Sequence, residues 1–126
     1  DNKADSESDV VILTDVRPDL KSIASIYRVL KDDAVICFLS KSFSNNKDEL
    51  IEDLKLAGEK FWIAMPFKFE HDTAIIASRK YHPTADLNLQ RADFLEDMKY
   101  YSAEIHSASF VFPASIHKEL TGIAKR

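Results

Sequence analysis

Residues 10–40 read VVILTDVRPDLKSIASIYRVLKDDAVICFLS, and their pattern decides the fold. Two apolar runs, VVIL at 10–13 and AVICFL at 34–39, have the length of strands and do not alternate with polar residues. Such runs are typical of strands that are covered on both faces of a sheet. Between them, apolar residues recur at the spacing of one helix face: Leu20, Ile23, Ala24, Tyr27 and Leu30. The stretch therefore predicts a β-α-β unit with a helix over residues 18–30.

The rest of the chain extends this unit. A second helix is predicted over residues 47–57, because Asn46 and Glu49 resemble a capping box and Gly58 suits the C-cap. Strands are predicted at 61–65 and 73–78, antiparallel because their link is too short for a crossover. Helices at 89–98, 103–107 and 114–124 form a tail. The order β-α-β-α-β-β with a helical tail predicts the second half of a doubly wound, Rossmann-like α/β sheet.

Composition excludes several classes of function. The net charge of −4 argues against a nucleic-acid binder, and no apolar run has the length of a membrane helix. Residues 1–9 are polar and acidic, which predicts a flexible segment rather than a signal peptide. The single cysteine, Cys37, cannot form an intrachain disulfide and is expected to be a buried reduced thiol, which favours a cytoplasmic location.

Two further features indicate that residues 10–126 form only part of a domain. The chain has two glycines, Gly58 and Gly122, and neither follows a strand in a glycine-rich loop that could hold a nucleotide. The strand predicted at 10–13 is the most apolar, yet one of its edges has no partner within these residues. Because exposed apolar edges aggregate, we expect this strand to pair with a missing N-terminal half or with another chain.

Residues 100–113 read YYSAEIHSASFVFP, which resembles the C-terminal signature of spermidine synthases and related polyamine aminopropyltransferases. The signature is roughly Tyr-Tyr-Asn, two variable residues, Ile or Val, His-Arg-Ala-Ala-Phe, one variable residue and Leu-Pro. Six positions match without gaps: Tyr100, Tyr101, His106, Ala108, Phe110 and Pro113. Four positions differ: Ser102, Ser107, Ser109 and Phe112. The upstream strands and helices also fall where this family has them, so the resemblance extends over nearly the whole chain.

The resemblance implies a reaction in which an amine of putrescine attacks the aminopropyl carbon of decarboxylated S-adenosylmethionine. The attacking amine must be neutral, so the site requires an acidic group that accepts its proton. In the family, the half that precedes this region holds that nucleotide cosubstrate. The chain alone is therefore expected to bind no cofactor and to be inactive, and its partners are expected to be a polyamine substrate, the missing half and, by analogy, further copies of itself.

The resemblance also points to site residues. The family places an Asp-Ser-Ser/Thr-Asp-Pro motif where this chain has Thr14-Asp15-Val16-Arg17-Pro18. Asp15 is the predicted catalytic base or amine anchor, and Thr14 is a predicted substrate contact. Phe67 and Phe69 follow Pro66, where the family often has a tyrosine that packs on the polyamine, and Tyr101 completes the predicted substrate-binding set. No metal ligand set is predicted.

The alternatives stay open at this point. Thr14, Arg17 and Lys68 stand where the family has acidic or aromatic residues, which favours a non-catalytic binding or assembly module on the same fold. The alternative for Asp15 is a carboxylate that starts a turn or helix, where Asp is favoured. A methyltransferase-like enzyme shares the sheet, but the tail at 100–113 argues against it.

Overall fold

The structure is a computed structural model of the 126-residue chain and describes residues 8–13, 19–69 and 72–125. Within these ranges it contains strands β1 (Ser8–Leu13), β2 (Leu30–Ser40), β3 (Ile63–Phe69) and β4 (Asp72–Ser78). Helices α1 (Leu20–Val29) and α2 (Phe43–Gly58) lie between the first three strands. Three short helices follow β4: α3 (Leu89–Asp93), α4 (Ala103–Ala108) and α5 (Ala114–Leu120). The predicted element order is confirmed.

The four strands form one mixed sheet in the order β1-β2-β4-β3. β1 and β2 are parallel, with Val11 opposite Ile36, whereas β4 is antiparallel to both β2 and β3. β1, β2 and β3 therefore run in the same direction, and they end along one edge of the sheet. In doubly wound sheets, ligands bind beyond the edge at which the parallel strands end.

The core lies between one face of the sheet and helices α1 and α2. Because side chains alternate between faces, every second residue of β2 and β4 points into this layer. The fully buried residues from the sheet and the two helices form one cluster: Ile23, Ala34, Ile36, Phe38, Leu50, Leu54, Ile75 and Ala77. Tyr27 of α1 packs edge to face on Phe61, with 5.4 Å between the ring centroids.

Capping side chains fix where the two longer helices begin. α1 begins at Leu20 rather than at the predicted residue 18, because Asp19 is its N-cap and accepts a hydrogen bond of 2.8 Å from the Ser22 N–H. Hydrogen bonds from Ser22 also lower the pKa of Asp19. Helical structure in α2 starts earlier than predicted, at Phe43, but it is broken at Asn46, whose φ of −158° and ψ of 85° are not helical.

The predicted cap at Asn46 is confirmed, whereas the predicted C-cap is wrong. The Asn46 side chain accepts from the Glu49 N–H at 3.1 Å and donates to the Glu49 carboxylate at 3.3 Å. The helix then continues through Gly58, and Glu59 is the C-cap. β2 starts at Leu30, four residues before the apolar run at 34–39 from which the strand was predicted.

The first and third tail helices are shorter than predicted, whereas α4 ends at Ala108, one residue beyond its predicted end. α3 ends at Asp93 rather than at residue 98, and Asp97 has a φ of 61°, which does not fit a right-handed helix. α5 ends at Leu120, after which Gly122 adopts a φ of 86°. The chain then turns back, and Lys125 pairs with Ala64 of β3 through two backbone hydrogen bonds of 2.9 Å.

β1 differs most from the sequence prediction. It begins at Ser8, two residues early, and Val10 and Ile12 are 55% and 65% exposed, although the run was predicted to be covered on both faces. Val11 and Leu13 pack against the core, so only one face of the strand is covered. The tail contacts β3 through the Phe67–Phe110 ring pair, and the second face of β1 stays open among the described residues.

Candidate functional site

An open trough of about 580 Å³ lies on the second face of the sheet, opposite α1 and α2. Ile12, Cys37, Leu39, Ala74 and Phe67 form its floor, one or more from each strand, and Tyr100 of the tail lines one side. These strand residues share a face because each is one position removed from a core residue. The trough reaches the edge at which β1, β2 and β3 end, so it lies where a ligand of this fold would bind.

A smaller cavity of about 240 Å³ adjoins the trough beneath the tail. Phe67 and Tyr100 line both spaces and therefore stand between them. Phe67 is held against Phe110, with ring centroids 5.6 Å apart. The predicted substrate residue Phe67 is thus at the site, and it also packs against the tail. Phe69 is the last residue of β3, and its side chain lies outside what the structure describes.

Tyr101 and His106 join the tail to the loop after β4. The Tyr101 hydroxyl lies 2.9 Å from Nδ1 of His106, and Nε2 of His106 lies 2.7 Å from the carbonyl oxygen of Pro83. A carbonyl only accepts, so Nε2 donates and Nδ1 of the neutral ring accepts from the tyrosine. His106 is therefore a packed, hydrogen-bonded residue. Tyr101 lines the smaller cavity and not the trough.

The predicted acidic motif lies outside the described residues. Thr14, Asp15 and Arg17 directly follow Leu13, the last described residue of β1, so the structure does not report on their side chains. The strand end that precedes them pairs with β2, where Leu13 is opposite Phe38. Their roles therefore remain predictions from the sequence.

Two other charged residues lie near this edge: Asp72, which was not assigned from the sequence, and Lys68, which was counted against catalysis. Asp72, the first residue of β4, is exposed and is the charged residue among those that line the trough. Lys68 does not line the trough; its ammonium lies 5.1 Å from the centroid of the Phe112 ring, and its backbone N–H donates to Ser109. Asp72 could have been noticed as the carboxylate that starts the fourth strand beside Phe69.

Asp53 is a buried charged residue, although its neighbour Glu52 is exposed. Its side chain is only 1% exposed, and it accepts a hydrogen bond of 2.6 Å from the hydroxyl of Ser40. Ser40 is the last residue of β2, so the buried carboxylate of α2 reaches the end of a strand at the ligand edge. The sequence shows Asp53 next to the exposed Glu52, and nothing in the apolar spacing separates the two.

Cys37 lies on the floor of the trough, and burial raises the pKa of its thiol from 9.0 to about 11. It is partly exposed rather than fully buried as expected, and the raised pKa makes it a poor nucleophile at neutral pH. In the described ranges no group of three or more His, Cys, Asp or Glu side chains is arranged to hold a metal ion. The helices described there are also too short or too polar to span a bilayer.

The fold is that of the spermidine synthases. The crystal structure of spermidine synthase from Thermotoga maritima superposes with a TM-score of 0.81 over 94% of this chain and 45% of that protein, at 21% identity. A structure of spermidine synthase in complex with the transition state analogue AdoDATO gives a TM-score of 0.83 over 94% of this chain and 44% of that one, also at 21% identity. At this identity the likeness establishes the fold alone.

The sequence itself is similar to polyamine aminopropyltransferases. The protein of that name from Helicobacter pylori (strain G27) is 31% identical over 113 residues, which is 86% of this chain and 43% of the relative. The one from Helicobacter acinonychis (strain Sheeba) is 33% identical over 108 residues, or 82% of this chain and 41% of the relative. No protein-family profile matches the chain. The resemblance to this family seen in residues 100–113 is confirmed.

The chain spans little more than two fifths of the length of these relatives. The two solved structures show a similar proportion: 94% of this chain aligns with each, but it covers only 45% and 44% of their lengths. This chain, which carries the trough and the tail, is therefore similar to one part of those longer proteins.

Proposed function

We propose that this chain is part of a polyamine aminopropyltransferase of the spermidine synthase type. The observation that supports this best is the similarity to named aminopropyltransferases over more than four fifths of the chain, in the fold of spermidine synthases. The trough at the ends of the parallel strands fits this assignment, because ligands of such sheets bind there. The transferred group would be the aminopropyl chain of decarboxylated S-adenosylmethionine, and the acceptor would be putrescine or a similar amine.

In the proposed reaction, the lone pair of the amine nitrogen forms a bond to the aminopropyl carbon. The bond from that carbon to the sulfonium breaks, its electron pair stays on sulfur, and methylthioadenosine leaves. The amine proton passes to a carboxylate, for which Asp15 is the candidate on this chain. Phe67, Phe69 and Tyr101 are proposed to bound the apolar part of the amine, and Thr14 to contact its polar end. Holding the two substrates in line supplies much of the rate enhancement.

We infer that the sheet continues beyond β1. The β3 edge is blocked: Ala64 pairs with Lys125, Pro66 has no N–H, and the Lys68 N–H donates to Ser109. At the other edge, β1 is the terminal strand, and among the described residues only β2 pairs with it. Together with the exposed Val10 and Ile12, this favours addition of a preceding half, or of a partner chain, on the β1 side. That part would hold the nucleotide cosubstrate. We also expect a cytoplasmic, self-associating enzyme, by analogy alone.

A second function has specific support. Thr14 and Arg17 occupy positions that are acidic in the family, and a cation beside a diammonium substrate would weaken its binding. A binding or assembly module with a degenerate site on the same fold is therefore the alternative. The two functions differ in turnover, whereas both expect a further segment or a partner chain on the β1 side of the sheet.

The first test is the intact mass of the denatured protein as isolated, followed by a turnover assay. A species near twice the 14.3 kDa chain, or a second peptide of similar size, would supply the missing half. Such a sample should release methylthioadenosine from decarboxylated S-adenosylmethionine and putrescine, and an Asp15→Asn variant should lose most of that release. If the completed protein binds its partner tightly and releases none, the transferase proposal is wrong and the module remains.

A further inference from the structure

The buried carboxylate of Asp53 is a feature that the proposed chemistry does not use. It comes from the middle of α2, is almost completely inaccessible, and contacts the strand end at Ser40 rather than solvent. Thr73, which is opposite Ser40 in the β2–β4 register, is buried as well. A polar cluster therefore lies directly beneath the edge at which the parallel strands end.

Stability alone does not favour a carboxylate at this position. Removing a carboxylate from water is costly, and hydrogen bonds must compensate for the loss. Apolar residues of the same size are often as good or better in such positions. Leu50 and Leu54 of the same helix occupy neighbouring sites in the core, so an apolar side chain would also fit at the position of Asp53.

The hydrogen bond has a geometric consequence for the segment after β2. Ser40 is followed by Lys41 and Ser42, and the Ser42 carbonyl and hydroxyl then accept from the N–H groups of Asn45 and Asn46. This turn connects the strand end to the break in α2 at Asn46. Fixing Ser40 to Asp53 therefore fixes the start of a loop that borders the ligand edge, with an anchor that is itself held in the core.

We propose that Asp53 is a positioning residue that, through Ser40, sets the conformation of residues 40–45 at the ligand edge. This inference rests on the proposed function for its catalytic consequence only. Asp53 is too buried to touch a substrate, so it acts through the strand end. Small displacements at such an edge reduce turnover strongly, because a shift of about 1 Å in reacting groups lowers rates up to about a hundredfold.

The test compares Asp53→Leu, Asp53→Asn and Ser40→Ala with Asp48→Asn, which removes an exposed carboxylate from the same helix. Amide hydrogen exchange in the protein as isolated is the first measurement. Asp53→Leu and Ser40→Ala should speed exchange at residues 40–45 while the protection of core strand amides stays unchanged. Asp53→Asn retains an oxygen that accepts from Ser40, so it should restore most of the protection, and Asp48→Asn should have no effect there.

Turnover of the completed enzyme is the second measurement. Asp53→Leu should lower kcat by about tenfold or more with little change in the unfolding midpoint, and Asp53→Asn should recover activity to within about threefold of the parent. Unchanged exchange at 40–45 in Asp53→Leu, or a loss of protection across the whole core, would overturn the positioning role. Absence of turnover in the parent enzyme would contradict the proposed function instead, and the exchange result would still decide the role of Asp53.

Discussion

Replacing Ile12 with threonine tests whether the second face of β1 is covered in the complete protein. Ile12 is 65% exposed in this chain, so about two thirds of its side chain is available to be buried by another segment. Full burial of an isoleucine contributes roughly 1.5–3 kcal/mol, and two thirds of that is about 1–2 kcal/mol. Threonine keeps the branched β-carbon that suits a strand but loses most of this apolar surface.

The assay is urea unfolding of the parent and the variant, performed on this chain and on the protein that contains the rest of the sheet. In this chain the free energy of unfolding should change by no more than about 0.5 kcal/mol, as is usual for an exposed site. In the completed protein it should fall by about 1–2 kcal/mol. Val111→Thr is a matched control, because Val111 is 63% exposed but lies in the tail. Equal effects of Ile12→Thr in both settings would refute the inference that this face is a docking surface.

Three further predictions concern the thiol of Cys37, the helix cap at Asn46 and the hydroxyl of Tyr101. Cys37 should react with Ellman's reagent at a rate that keeps rising toward pH 11, because burial raises its pKa to about 11. The unfolded thiol ionises near pH 9.0, so this group's contribution to stability is present below pH 9.0 and is lost as the pH rises through 11. Asn46→Ala removes the cap of α2 and should lower the free energy of unfolding by about 0.5–2 kcal/mol, measured by urea titration; a change below that range would mean that Ser42 provides the effective cap. Tyr101→Phe removes the donor to Nδ1 of His106 and should cost about 0.5–1.5 kcal/mol in the same titration, whereas an unchanged midpoint would mean that water replaces the hydroxyl.

Much of the fold could be predicted because its signals are local and apolar. The spacing of Ile23 and Tyr27, the runs in β1 and β2, and the pair Asn46 and Glu49 each depend on residues within one turn or strand. Helix ends were predicted less well, because they depend on local backbone conformations that the sequence does not indicate. The third predicted helix ends at Asp93 with Phe94 as its C-cap, and the sequence contains no glycine or proline there to indicate it.

The site was predicted only in part because it depends on contacts between distant segments. Asp53 and Ser40 are thirteen residues apart, and their hydrogen bond forms only once α2 packs against the sheet. A charged residue beside Glu52 gives no sign in the sequence of which of the two turns inward. Phe67 and Tyr101 were predicted because they stand at family positions, and the structure adds that the same side chains hold the tail in place.

Three residues of the sequence favour a degenerate module over an enzyme: Thr14, Arg17 and Lys68. Lys68 does not place a cation in the trough, because its ammonium lies over the Phe112 ring. Asp72 meanwhile adds an exposed carboxylate to the trough, where it could attract an amine in place of one lost family position. Thr14 and Arg17 are therefore the two residues of these three that still favour a degenerate site. If Arg17→Asp raises methylthioadenosine release in the completed protein, the arginine is an obstacle on a working site; if it leaves release at zero, the degeneracy extends beyond that residue.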